Sequence, residues 1–137
     1  MKGEEVQVLN MKLIDLYRKY IDCLNAQDWA HLGQYIHHDV TYNGAPQGLS
    51  NYTKARQEEF RTIPDLHFAV DIVTVNEHTV GSRLMFNISP QGDFLGLPVN
   101  GRRISFCEHV FYQFENDKII SVWSVLDKAA IALQLDR

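Results

Sequence analysis

Glu108 is the side chain of this 137-residue chain best placed for acid/base chemistry. It sits inside the apolar run Ile104 to Phe114 and shares strand parity with Phe106, Val110 and Tyr112. A carboxylate among apolar neighbours is costly unless it is paired or useful. Desolvation also raises its pKa toward neutrality, which suits a group that takes and returns protons. Two placements are open: a pocket wall, or solvent with a structural partner such as Arg83. Arg83 is itself a mid-run charge in Val80 to Ile88. Its forked donors can hold a substrate carboxylate or an oxyanion, or form a cross-sheet ion pair. Asn87 has the parity of Arg83 and Met85; turned inward, it is an oxyanion donor. Asp127 follows Trp123 by four residues and opens the last helical segment. It either caps that helix or places a second carboxylate at a pocket mouth. Trp123 lines the cavity or the core. Tyr42 and Asn43 stand where the first strand meets a turn, where they can touch a ligand; Asn43 equally suits the turn itself.

The remaining ionisable and thiol groups offer less. His109 is adjacent to Glu108, so on a strand it points to the other face. His37, His38 and Asp39 read as a helix end. There, neighbouring side chains diverge too far for a metal triad, and contact with the helix dipole is the expected role. His31, His67 and His78 are isolated, so no metal site is expected. Cys23 and Cys107 lack CxxC spacing and read as buried free thiols.

The elements that must position these groups follow from periodicity. Val6, Leu9, Leu13, Leu16, Tyr20 and Leu24 recur at steps of three and four, predicting an amphipathic helix. Asp28 is positioned to cap a shorter helix carrying Trp29, Leu32, Tyr35 and Ile36. Val40 to Tyr42 predicts a short strand, closed by the turn Asn43 to Gly48. A third helix starts near Ser50, carries Tyr52, Ala55 and Phe60, and stops at Pro64. The period then changes. Leu66, Phe68, Val70 and Ile72 alternate with polar residues, Val80 to Ile88 is a second strand, and Ile104–Phe114 and Ile119–Leu126 pair through a short hairpin. Phe94 to Val99 is an apolar loop expected to be buried, and Asp127 to Leu135 is a closing helix. Helices followed by an antiparallel meander give an α+β fold. The curved sheet needs helices over its concave side, and the cone left between is a natural small-molecule pocket.

Composition narrows the function further. Hydrophobic residues are 45% and charged residues 22%, ordinary values for one globular domain spanning 1–137. Thirteen Lys and Arg against 17 Asp and Glu leave a net charge of −4, which argues against binding through nucleic-acid phosphates. No apolar signal core or membrane span is visible, so a cytoplasmic protein without membrane partners is expected.

Three stretches occur together: Ile63-Pro64-Asp65-Leu66-His67-Phe68, the loop Gly92-Asp93-Phe94-Leu95-Gly96-Leu97-Pro98, and the ending from Trp123 to Leu135. The combination resembles the SnoaL-like polyketide cyclases, also labelled ester cyclases, within the nuclear transport factor two-like superfamily. The resemblance spans nearly the whole chain. It implies a cone-shaped α+β fold, no cofactor, a homodimer that packs through the face carrying His109, and ring closure by intramolecular aldol condensation. Characterised members carry His-Trp-Asp on the last strand, with the Asp as acid/base, and a further His on the preceding strand. Here the corresponding residues are Val122-Trp123-Ser124, and the earlier His falls at Val110. The fold carries over; that catalytic set does not. The expected activity is cofactor-free acid/base catalysis on a small, largely apolar carbonyl compound, with Glu108 or Asp127 as acid/base and Arg83 and Asn87 as anion stabilisers. The alternatives are a non-catalytic small-molecule binding module, or an epoxide hydrolase in which Arg83 is flanked by the carboxylates of Glu108 and Asp127.

Overall fold

A computed structural model describes residues 2–137. Helix α1 spans Lys2–Asn25 and buries Leu13, Tyr17, Tyr20, Ile21 and Leu24. Its first turns leave Val6, Val8 and Met11 exposed, so the apolar stripe meets the core from Leu9 onward and is buried from Leu13. Trp29–Gln34 forms a 3-10 turn rather than the expected α-helix. Asp28 does not cap it; its carboxylate accepts from His31 Nδ1 instead. Strand β1 is Ile36–Tyr42, β2 is Ala45–Pro46, and α2 is Gly48–Thr62. Then come β3 (Ala69–Asn76), β4 (Thr79–Ile88), β5 (Asp93–Phe94), β6 (Leu97–Pro98), β7 (Ile104–Glu115), β8 (Lys118–Leu126) and α3 (Lys128–Leu135).

The main sheet has the order β2-β1-β8-β7-β4-β3. Its pairs are antiparallel except β1 with β8, which run parallel. Since β1 begins at Ile36, His37 and His38 are strand residues and not a helix end. Their rings stack at 4.4 Å, and His37 Nδ1 accepts the Asp39 backbone N–H at 3.0 Å. The β7–β8 hairpin turns through Asn116 and Asp117, both at positive φ (50° and 64°), the backbone a tight two-residue hairpin requires.

Alternation on the long strands decides what faces the helices. On β7, Ile104, Phe106, Val110, Tyr112 and Phe114 are buried toward α1 and α2; Ser105, His109, Phe111 and Gln113 face out. On β4, Val80, Ser82, Leu84, Phe86 and Ile88 are the buried set. Gly81 lies between them on the outer face, where the Phe111 ring passes 3.1 Å from where its Cβ would be, so a larger residue there would have to push that ring aside. In β3 the register slips between Val70 and Ile72. The extra residue turns Ile72 outward, against the simple alternation of the sequence. The loop after β4 folds into the β5–β6 hairpin. Phe94 packs on Phe106 at 5.6 Å and Val99 is fully buried, but Leu95, at the tip with φ 53°, stays exposed.

The C-terminal helix is fixed at both ends. Asp127 caps it by accepting from Ala130 N at 3.1 Å. Arg102 donates to the Leu135 and Gln134 carbonyls at 2.9 and 3.1 Å, a cation on the negative end of the helix dipole. Among the described residues no helix is long and apolar enough to cross a membrane.

Candidate active site

Between the concave face and the helices lies a cavity. Its walls include Phe68 from the loop before β3, Leu84 and Phe86 from β4, Phe106 and Val110 from β7, and Leu126 from β8. It leaves about 60 Å³ for the centres of water-sized molecules, several times what one water needs, so it suits a compact ligand. The apolar side is aromatic: Phe68 meets Phe86 edge-on at 5.4 Å, and Phe86 stacks on Phe106 at 5.2 Å.

Glu108 is the carboxylate on the sheet wall of this cavity. Burial raises its pKa, and the nearby charge of Glu59 adds to the rise. A hydrogen bond from Ser124 and the charge of Arg56 act in the opposite sense and are outweighed. Ser124 Oγ donates to Glu108 Oε2 across the β7–β8 pair. Ser124 is held in turn by Asn43. Its backbone N–H donates to Asn43 Oδ1 at 2.8 Å, and Asn43 Nδ2 donates back to its carbonyl at 3.3 Å. Asn43 adopts φ 50°, a conformation Asn tolerates well. It therefore acts at one remove, fixing the residue that fixes Glu108.

The helix wall carries a second polar group absent from the sequence reading. Tyr52, Arg56 and Glu59 lie on one face of α2 and all line the cavity. The Arg56 guanidinium stands 4.8 Å from the Tyr52 ring centroid and 5.5 Å from that of Tyr42. Its Nε forms an ion pair with the Glu59 carboxylate. Burial works against the charge of Arg56; Tyr52 and Glu59 outweigh it and hold the pKa above the ordinary value. Burial raises the Glu59 carboxyl, with Arg56 pulling it back. Tyr20, from α1, shares a 2.5 Å hydrogen bond with Tyr52, hydroxyl to hydroxyl. The spacing 52, 56, 59 was the available signal, since it puts both charges on the stripe that buries Tyr52.

The other expected site residues are placed as follows. Tyr42 lines the cavity with Glu108. Arg83, Asn87 and Trp123 do not: all three lie on the convex face. Arg83 pairs with Asp71 at 3.2 Å. Asn87 Oδ1 accepts from Arg103 Nε at 2.9 Å and from Ser105 Oγ at 3.2 Å. Trp123 is exposed beside Phe111 and Val125. The parity grouping of Arg83, Met85 and Asn87 was right; the face was opposite, because the helices cover the side carrying Leu84 and Phe86. Asp127 is exposed and engaged as the α3 cap, away from the cavity lining. Cys23 and Cys107 are free and buried.

A helix-covered, curved and unclosed sheet with a polar-ended aromatic cavity defines a cone-shaped α+β protein of the nuclear transport factor two-like class. The profile of the SnoaL-like polyketide cyclases matches residues 14–135, and the chain belongs to that family. A SnoaL-like polyketide cyclase from Agrobacterium tumefaciens strain C58 is 48% identical, with TM-score 0.88 over 90% of this chain and 97% of its own. TsrD from Streptomyces laurentii shares 24% identity at TM-score 0.79, covering 91% of this chain and 95% of that one. IdmH from Streptomyces antibioticus shares 18% at TM-score 0.78, covering 91% and 99%. These last two likenesses are of fold. No curated protein matches the sequence.

Proposed function

We propose that the protein is a cofactor-free acid/base enzyme acting on a small, largely apolar carbonyl compound, by aldol-type ring closure or isomerisation, with Glu108 moving the proton. One observation carries this reading. Ser124 occupies the position after Trp123 where characterised cyclases have their acid/base Asp, and its hydroxyl is bonded to Glu108. The carboxylate missing from β8 is thus supplied by the adjacent strand at nearly the same place. Ionised Glu108 takes a proton from the carbon next to the carbonyl, then returns it to the new alkoxide or to carbon. Its raised pKa brings it closer to the working pH, where general bases are most effective. Ser124 holds one carboxylate oxygen and leaves the other for the substrate, and Tyr42 contacts the bound molecule. The 48% identical Agrobacterium protein, called a polyketide cyclase, favours a polyketide-like substrate.

A second reading draws on Arg56. It has Glu59 beside it and faces the same cavity as Glu108, so Arg56, and not the outward-facing Arg83 expected with Asp127, has the two carboxylates that epoxide hydrolysis asks for. In either reading, a second copy covers the apolar convex patch of Phe111, Trp123 and Val125, forming a homodimer.

The test is hydrogen–deuterium exchange at carbon in a panel of enolisable ketones and 1,3-dicarbonyl compounds, followed by mass spectrometry. Wild-type protein should catalyse exchange in the members that fit, and Glu108→Gln should slow it by about 10²–10⁴-fold. Exchange undiminished in Glu108→Gln would sink the assignment. Epoxide opening without carbon exchange would favour the second reading.

A further inference from the structure

The Arg56 environment does not look like a device for stability. A buried ion pair seldom repays its desolvation against apolar residues of similar size. This one also lines the cavity, where apolar residues would close the space between helix and sheet. A guanidinium carries five N–H donors, while the fold offers it the Glu59 carboxylate and the phenol of Tyr52. The group is nonetheless held firmly, with Tyr52 and Tyr42 against it and Glu59 alongside. Next to it, Tyr20 and Tyr52 share a single hydrogen bond. Two hydroxyls joined by one such bond leave one proton to give elsewhere. The helix wall is therefore rich in spare donors, and the sheet wall opposite holds the acid/base carboxylate.

We propose that Arg56, with the spare hydroxyl proton of the Tyr20–Tyr52 pair, receives the substrate oxygen on which negative charge develops, and that Glu59 is a positioning residue for Arg56. This rests on the reading that Glu108 moves a proton at carbon. The step balances. The C–H electron pair becomes a C=C bond, the carbonyl π pair moves to oxygen, and the proton passes to Glu108. The negative charge lost at Glu108 appears on the substrate oxygen beside Arg56, so the cavity's net charge is unchanged. The substrate class follows from the two walls: an enolisable ketone or 1,3-dicarbonyl joined to a flat, apolar body that lies against Phe68, Phe86 and Phe106.

The probe is 2-naphthol, whose ionised form imitates a flat enolate, compared with 2-methoxynaphthalene, which cannot ionise. Absorbance reports the ionisation state of bound naphthol. Wild-type protein should bind the naphtholate in preference and lower the apparent pKa of bound naphthol. Removing Arg56 alone would strand Glu59 in the cavity, so the informative variant is Arg56→Met with Glu59→Gln. It should lose about 10²-fold in naphtholate affinity, the scale of one oxyanion donor, while holding methoxynaphthalene as before. Arg56→Lys should fall between, since it keeps charge but loses the fork and the stacking. Glu108→Gln should tighten naphtholate binding by removing a like charge. The proposal is overturned if the double variant prefers naphtholate as strongly as wild type, or if wild-type protein shows no such preference, binding neither probe included. Because binding is read without turnover, its failure stands apart from that of the Glu108 assignment, which carbon exchange reports.

Discussion

The two faces of strand β7 carry adjacent residues into opposite environments. Glu108 and Val110 face the cavity; His109 and Phe111 face out. On the concave side, polar atoms are organised in linked sets: Asn43 to Ser124 to Glu108, Tyr20 to Tyr52, Arg56 to Glu59, and Tyr17 donating to Ser82 at 2.8 Å. On the convex side, charges meet their partners at the surface, as Arg83 does with Asp71, and apolar side chains remain open: Phe111 is 57% exposed, Trp123 41% and Val125 71%. A few linked polar groups within an apolar inner face, and apolar groups displayed among the polar residues of the outer one, are exceptions to the usual order of a half-buried strand. Exceptions of this kind are what the proposed ligand chamber inside and the proposed contact surface outside require.

Substituting neighbours across the sheet breaks the comparison most sharply. Leu84 is 1% exposed and Met85 is 39%. Leu84→Ala should cost about 3 kcal/mol by opening a cavity in the core, and Met85→Ala less than about 1 kcal/mol. Urea midpoints on the two variants read both, and equal losses would mean that the outer face is packed as tightly as the inner. A charge on the patch tests the outer face next. Phe111→Lys should weaken self-association by about tenfold or more, as loss of a central aromatic contact does. Sedimentation at graded concentration measures it, and a wild-type chain that sediments as a monomer throughout removes the homodimer.

The smallest effect sharpens the inner face. Glu108 has a folded pKa above its unfolded value because of burial. The folded state therefore binds more protons, and stability falls as pH climbs from the ordinary carboxylate range through the folded pKa, then levels off. Glu108→Gln should remove this contribution to the slope and gain about 1 kcal/mol at neutral pH, a common return for relieving a functional site. Thermal melts across pH would show the two curves converging at low pH. A variant less stable than wild type at neutral pH would mean that the Ser124 bond outweighs the burial.

Much of this was legible in the residues alone, for reasons that also explain the gaps. The inner stripe of α1, the alternation of β4, β7 and β8, and the Asp127 cap depend on local spacing, which a sequence displays directly. Glu108 was legible because a carboxylate stands out within an apolar strand. Arg83 and Asn87 show what parity lacks: it groups side chains by face but does not say which face the helices will cover. Arg56 and Glu59 were hidden for a different reason. Charges three residues apart on a helix ordinarily mark a solvated side, and only the packing of α2 over the cavity turns them inward. The bulge that rotates Ile72 out, and the parallel pairing of β1 with β8, depend on contacts distant in sequence.

That parallel pairing has a consequence for how the protein comes into being. Ile36 aligns with Ile119 and Tyr42 with Val122, so the first long strand has its long neighbour only in the last one. Such pairings are slow to form, because a long stretch of chain must close before any contact rewards it. During synthesis, α1 emerges early with Leu13, Tyr17 and Leu24 uncovered, and β1 waits with one edge unpaired until β8 has left the ribosome. The nascent domain is thus exposed to aggregation until β8 has been made, and its cone closes only then.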